Sequence, residues 1–177
     1  MPTFDRGEDL AKRPGLEVSI GQSLRELSAT LATAESCTGG LLGAFITSVP
    51  GSSDYYLGGV ISYANPVKEK LLGVSQSTLI NHGAVSQVCV EEMAHGVRIL
   101  LGSTYGVAIS GIAGPAGETP GKPVGTVHFA VDSPAGCVAG QILHPGSREE
   151  VRRVAAEAAL LLLRQVLDNV VQGISPR

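Results

Sequence analysis

Leu31-Ala32-Thr33-Ala34-Glu35-Ser36-Cys37-Thr38-Gly39-Gly40-Leu41-Leu42 is the stretch on which the fold turns. Leu31 to Ala34 is a short apolar segment that ends at Glu35 and Ser36. Thr38, Gly39 and Gly40 follow, and Leu41, Leu42, Phe45 and Ile46 then recur at helical spacing. The order is strand, tight turn, helix, the unit from which α/β sheets are built. Pro50-Gly51-Ser52-Ser53 stops the helix.

The rest of the chain extends that unit in both directions. Upstream, Leu16, Ile20, Leu24 and Leu27 predict a helix to about residue 29, and residues 1–14 read as a flexible tail. Downstream, residues 57–63 read as a strand centred on Val60 and Ile61. Asn65-Pro66 opens a helix, since proline suits the first helical turn. Ser86 is the N-cap of a helix running to about Leu101. A strand at 105–110 leads into a glycine- and proline-rich loop at 111–123. Strands at 124–131 and 137–143 are joined by a hairpin turn over 132–136. The last helix opens with a capping box, Ser147 with Glu150, and carries the apolar face Val151, Val154, Ala155, Ala158, Leu161, Leu162 and Leu167. The pattern predicts one domain over 15–173. Its architecture is a three-layer α/β/α sandwich, with a central sheet that the closing hairpin makes mixed.

Composition narrows the partners. With 177 residues and 44% hydrophobic content, the chain can bury a core without disulfide or metal staples. A net charge of −3 and the absence of tryptophan argue against binding duplex or single-stranded nucleic acid. Cys37, Cys89 and Cys137 show no C-x-x-C spacing, and His82, His95, His128 and His144 show no ligand spacing, so no metal is expected. Glu92 and His95 read as a surface pair on one helix. The N-terminus lacks the apolar core of a signal peptide, and Ala158–Leu163 is too short to cross a bilayer. A cytoplasmic protein without membrane contact is expected.

Four segments carry chemistry. Ser36 lies between a strand end and a helix start, where free N–H groups of Cys37, Thr38, Gly39 and Gly40 can hold an oxyanion. The same residues suit a plain helix cap made by Ser36 or Thr38. Cys37 is the rival nucleophile, unless it is buried and inert. Tyr63 ends a strand and Lys68 lies just over one turn into the next helix, so both can face Ser36. A buried lysine there can serve as a base, and a solvated one is a plain surface residue. The glycines of the loop Ser110–Gly117 let backbone approach a ligand, and they equally suit a purely structural loop. A phosphate loop ending at Gly121-Lys122 is rejected, because Ala116 and Pro123 stand where glycine and Ser or Thr are needed. Arg148 and Arg152 share a helical face near its positive end, which suits an anion clamp or a plain solvated face.

Five motifs occur together in order: Thr33–Gly40, Tyr63-Ala64-Asn65 with Lys68, His82-Gly83-Ala84-Val85-Ser86, Ser110–Pro115, and Lys122–Val127. Over residues 31 to about 165 this set resembles the CinA C-terminal family. The resemblance implies an amidohydrolase that converts nicotinamide mononucleotide to nicotinic acid mononucleotide and ammonia, in pyridine nucleotide salvage. Ser36 falls on the family's nucleophile, and Tyr63 and Lys68 on its proton-transfer partners. The expected site adds Glu35, Asn65, Ser110, Gly111, Ala113, Gly114, Lys122 and Arg148 around the substrate. No cofactor is implied, and a homo-oligomer, dimer or larger, is. Many family members also carry an N-terminal molybdopterin-binding-like domain, which is not expected within these 177 residues. Two positions depart from the family's habit. Gly117-Glu118 stands where a glycine pair is common, and Ser147 stands where an acid commonly precedes the arginine. Both leave the exact substrate open. An amidase for another small amide, or a non-catalytic nucleotide- or partner-binding module, are the competing readings.

Overall fold

In the computed structural model, which describes residues 15–172, strand β1 (Leu31–Glu35) is an interior strand of the sheet, with every residue buried. A strand with parallel neighbours on both sides and helices on both faces has no solvent side, which is why the segment is uniformly apolar or small until Glu35. β1 pairs in parallel with β2 (Tyr56–Ile61) and with β3 (Tyr105–Gly111). β4 (Thr126–Ser133) and β5 (Gly136–Leu143) add antiparallel to β3, giving the order β2-β1-β3-β4-β5 and the expected mixed sheet. The expected tail at 1–14 and the expected domain end at 173 lie outside the described residues.

The described helices are α1 (Leu16–Glu26), α2 (Leu41–Thr47), α3 (Asn65–Leu72), α4 (Gln76–Asn81), α5 (Gln87–Leu101) and α6 (Arg148–Val171). α1, α2 and α6 cover one face of the sheet, and α3, α4 and α5 the other. The two-residue period of β3 sorts the layers: Val107 and Ile109 pack towards α6, and Ala108 towards α5. The α5 side is floored by Ala32, Ala34, Ala108 and Ala130, side chains small enough to let that helix lie close. α6 follows its expected capping box, in which Ser147 and Glu150 cap each other.

Several boundaries differ from the sequence reading: β2 ends at Ile61 rather than 63, which leaves Tyr63 beyond the strand it was expected to end, and β4 begins at Thr126 rather than 124. α1 ends at Glu26 rather than near 29. The hairpin between β4 and β5 tightens to Pro134-Ala135, because Ser133 pairs with Gly136. The sequence reading places no element at α4. Its six residues are too few to show a period, and its N-cap Ser75, which accepts from the Thr78 N–H, is the only local signal. The topology also locates a crevice. The chain leaves β1 for β2 on one side and reaches β3 on the other, and ligand sites in open α/β sheets gather at the carboxyl ends of strands where the direction reverses.

Candidate active site

The turn after β1 is shaped by Glu35. Its carboxylate, 2% exposed, accepts from the N–H groups of Gly40 (2.9 Å), Leu42 (3.1 Å) and Gly43 (2.8 Å). A buried carboxylate at a helix N-terminus satisfies orphan donors and is itself stabilised by the helix dipole. Glu35 therefore caps α2, in place of Ser36 or Thr38, and does not line the substrate pocket as expected. The N-cap itself is Gly40 at φ 100°, a left-handed conformation that glycine adopts without strain. The oxyanion donors narrow accordingly. Gly39 N–H is taken by Ser36 O and Gly40 N–H by Glu35, while among the described residues the N–H of Thr38 has no acceptor and that of Cys37 has none beyond its own thiol.

Arg152 clasps the same turn from α6. Its Nε donates to Cys37 O (3.2 Å) and its Nη2 to Thr38 O (2.7 Å). The expected clamp of Arg148 with Arg152 is thus divided, with Arg152 committed to the turn and Arg148 to the pocket. Sequence spacing placed both on one face of α6 but held no sign of this long-range partner.

Ser36 is 8% exposed, and its N–H donates to Ile109 O, which extends the β1–β3 pairing into the turn. Its Oγ lies 3.2 Å from Nζ of Lys68. Lys68 is 1% exposed, and Nζ also donates to Ser62 O (2.6 Å) and Tyr63 O (3.4 Å). Burial holds this amine below the ordinary lysine value of 10.5. A neutral amine so placed can give two N–H bonds to the carbonyls and turn its lone pair to the serine hydroxyl. The arrangement can therefore take a proton from Ser36.

Tyr63 takes part differently from the expectation. Its carbonyl receives Lys68, but its hydroxyl, on a residue 60% exposed, accepts from Arg148 Nη2 (2.9 Å). Arg148 Nη1 reaches Gly114 O (2.8 Å), so the guanidinium spans the mouth from Tyr63 to the glycine loop. Ser36, Cys37, Tyr63, Asn65, Lys68, Ser110, Gly111, Ala113, Gly114 and Arg148 line one pocket of about 270 Å³. Ser110 braces its wall through Oγ to Ala84 O (2.7 Å). Ala84 and Val85 complete that wall, in a motif that the sequence reading quoted but gave no role. Lys122 lies elsewhere: its Nζ donates to His82 O, and it lines a different groove.

Cys37 lines the pocket, yet it is buried and its thiol is pushed up to about 11, chiefly by that burial. It is a poor source of thiolate near neutral pH. Glu92 and His95 do not meet. Glu92 accepts from Ser75 and Thr78, and His95 pairs with Asp132 beside Arg98. Among the described residues no three His, Cys, Asp or Glu side chains gather at metal-binding distance.

Fold and site together define an α/β domain with a buried serine–lysine pair at the carboxyl edge of its sheet. The chain belongs to the CinA C-terminal domain family, whose model matches residues 14–167. It is 48% identical over 162 residues to a CinA-like protein of Synechococcus and 47% identical over 164 residues to one of Desulfosudis oleivorans. These alignments cover 90% and 91% of this chain but 38% and 40% of those relatives. The chain thus spans about two-fifths of the length of these curated relatives. Among solved structures, a competence-damaged protein (CinA) superfamily protein of Klebsiella pneumoniae superposes with a TM-score of 0.84 at 35% identity, over 87% of this chain and 96% of that one. One of Escherichia coli superposes at 0.86 and 30% identity, over 93% and 95%. No described helix is long and apolar enough to cross a membrane.

Proposed function

We propose that this chain hydrolyses the carboxamide of nicotinamide mononucleotide, releasing nicotinic acid mononucleotide and ammonia. The observation that carries the reading is the buried Lys68 amine, held 3.2 Å from Ser36 Oγ by two backbone carbonyls. An activated serine needs an adjacent base that a third group orients, and Ser62 O and Tyr63 O fill that orienting role. Ser36 Oγ attacks the carboxamide carbon while Lys68 takes its proton. The N–H groups of Cys37 and Thr38 stabilise the oxyanion. Lys68 returns the proton to the nitrogen, the C–N bond breaks, and ammonia leaves an acyl-serine. Water, deprotonated by Lys68, cleaves the ester, and the proton returns to Ser36. No metal or cofactor takes part. Arg148, whose guanidinium keeps N–H groups beyond those given to Gly114 O and Tyr63 Oη, donates to the substrate phosphate at the pocket mouth. Residues 15–173 act as one catalytic domain of a cytoplasmic homo-oligomer, a reading supported by the family resemblance.

Ammonia release from nicotinamide mononucleotide, nicotinamide and NAD tests this. The mononucleotide should react far faster than free nicotinamide, since a gripped phosphate orients the amide. Equal rates on both would remove Arg148 from substrate binding. Release from none of the three would favour a non-catalytic nucleotide-binding module.

A further inference from the structure

The groove that holds Lys122 shares no lining residue with the serine pocket and has a volume of about 410 Å³. The segment 82–86 is the partition: Ala84 and Val85 face the serine pocket, and His82 and Ser86 face this groove. One end of the groove is the N-terminus of α5, a helix of 15 residues. Ser86 Oγ takes the Cys89 N–H, and the N–H groups of Gln87 and Val88 have no acceptor among the described residues. A tight reversal, in which Thr119 and Lys122 exchange backbone hydrogen bonds, sets Lys122 against this end. Its Nζ is tethered by one bond, to His82 O at 2.6 Å, which leaves two donors of an ammonium.

His128 is the second observation. It lines the groove although only 8% exposed, and its Nδ1 has no hydrogen-bond partner among the described residues. That Nδ1 is itself shut off from solvent, so the ring meets the groove through its other edge, whose Nε2 also has no hydrogen-bond partner among the described residues. Burial and the nearby Lys122 hold this imidazole below its ordinary value, so it is neutral at pH 7 and acts as a polar partner. None of the lining residues is acidic. Glu91, whose carboxylate takes the Gln87 amide, is the nearby counter-charge fixed by a hydrogen bond.

We propose that this groove is a second binding site, for a phosphate group, held by the α5 N-terminus, Lys122 and the imidazoles of His82 and His128. Backbone N–H groups at a helix end together with one ammonium form the donor set that a tetrahedral oxyanion takes. The site is independent of the proposed hydrolysis, and its test needs no turnover.

Inorganic phosphate titrated into the full chain, followed by the ring resonances of His82 and His128 at constant ionic strength, gives a direct reading. Saturable shifts are expected in the wild type and in Arg148→Ala. Affinity should fall at least tenfold in Lys122→Met and be largely restored in Lys122→Arg, which keeps the charge. Ribose 5-phosphate in a parallel titration separates sources. Tighter binding than the inorganic ion assigns the groove to a phosphate ester, and equal or weaker binding assigns it to the free ion. Absence of saturation, equal shifts with chloride, unchanged affinity in Lys122→Met, or loss confined to Arg148→Ala would each overturn the proposal.

Discussion

Burial of the Lys68 amine favours its neutral form over the charged one. If it is the base, kcat/KM rises with pH and levels off below 10.5, because burial lowers the value at which the proton leaves. Lys68→Arg should then lose activity by roughly a hundredfold or more, since arginine stays protonated and cannot accept the serine proton. Substantial activity with an unchanged pH profile in that variant would make Lys68 an electrostatic residue. Ser36→Ala should lower kcat on the order of a thousandfold or more. Cys37→Ala should keep most of the rate, given a thiol held near 11. Rapid inactivation of the wild type by a thiol reagent, absent in Cys37→Ala, would reverse that assignment. At this scale the sequence brought Ser36, Lys68 and Arg148 to one pocket but misplaced Glu35 and Lys122, and it did not show through which atoms the residues meet. Ser36 and Lys68 sit in motifs with recognisable spacing, and Arg148 lies at the start of a capped helix. That Tyr63 gives Lys68 its carbonyl, and its hydroxyl to Arg148, depends on rotamers and strand ends that no local pattern encodes.

The elements hold Lys68 in place by close approach. α3 lies across α5 at Gly96, where an added Cβ would overlap the carbonyl oxygen of Leu72, one turn beyond Lys68. Gly96→Ala must therefore push α3 outwards. A loss of about 1–3 kcal/mol in stability is expected, as for other overpacked contacts. Activity measured well below the melting temperature should fall with it, because α3 carries the amine. Full activity in the folded variant would show that the serine–lysine distance tolerates the shift. Long periodic elements such as α5 and α6 were legible, and so was the strand-turn-helix at 31–42. α4 was not, since six residues make less than two turns. Nor was the brace on the serine turn. Glu35 caps α2 from the strand side, where a sequence reader looks for Ser36 or Thr38.

For the whole molecule, the lowered proton affinity of Lys68 links folding to pH. In the unfolded chain the amine titrates near 10.5, and in the folded chain it titrates lower. Between those two values the unfolded state binds more protons, so the contribution of Lys68 to stability rises with pH. Below the folded value both states are charged and the burial penalty is fully present. Thermal melts of wild type and Lys68→Met, taken from about pH 7 to about pH 10, should therefore diverge in favour of the wild type as pH rises. A constant difference across that range would mean that the folded amine keeps its ordinary proton affinity.

The clasp on the serine turn has a consequence in time as well as in space. Arg152 stands 115 residues after Cys37, whose carbonyl it holds. Strands β1, β2 and β3, with Ser36 and Lys68, leave the ribosome well before α6 does. A nascent or truncated chain that stops short of α6 holds the serine and the lysine, but lacks both the clasp and the guanidinium at the pocket mouth. If Ser36 is the nucleophile, its turn is clasped only when the last described helix docks, and a chain stopped short of α6 should release no ammonia.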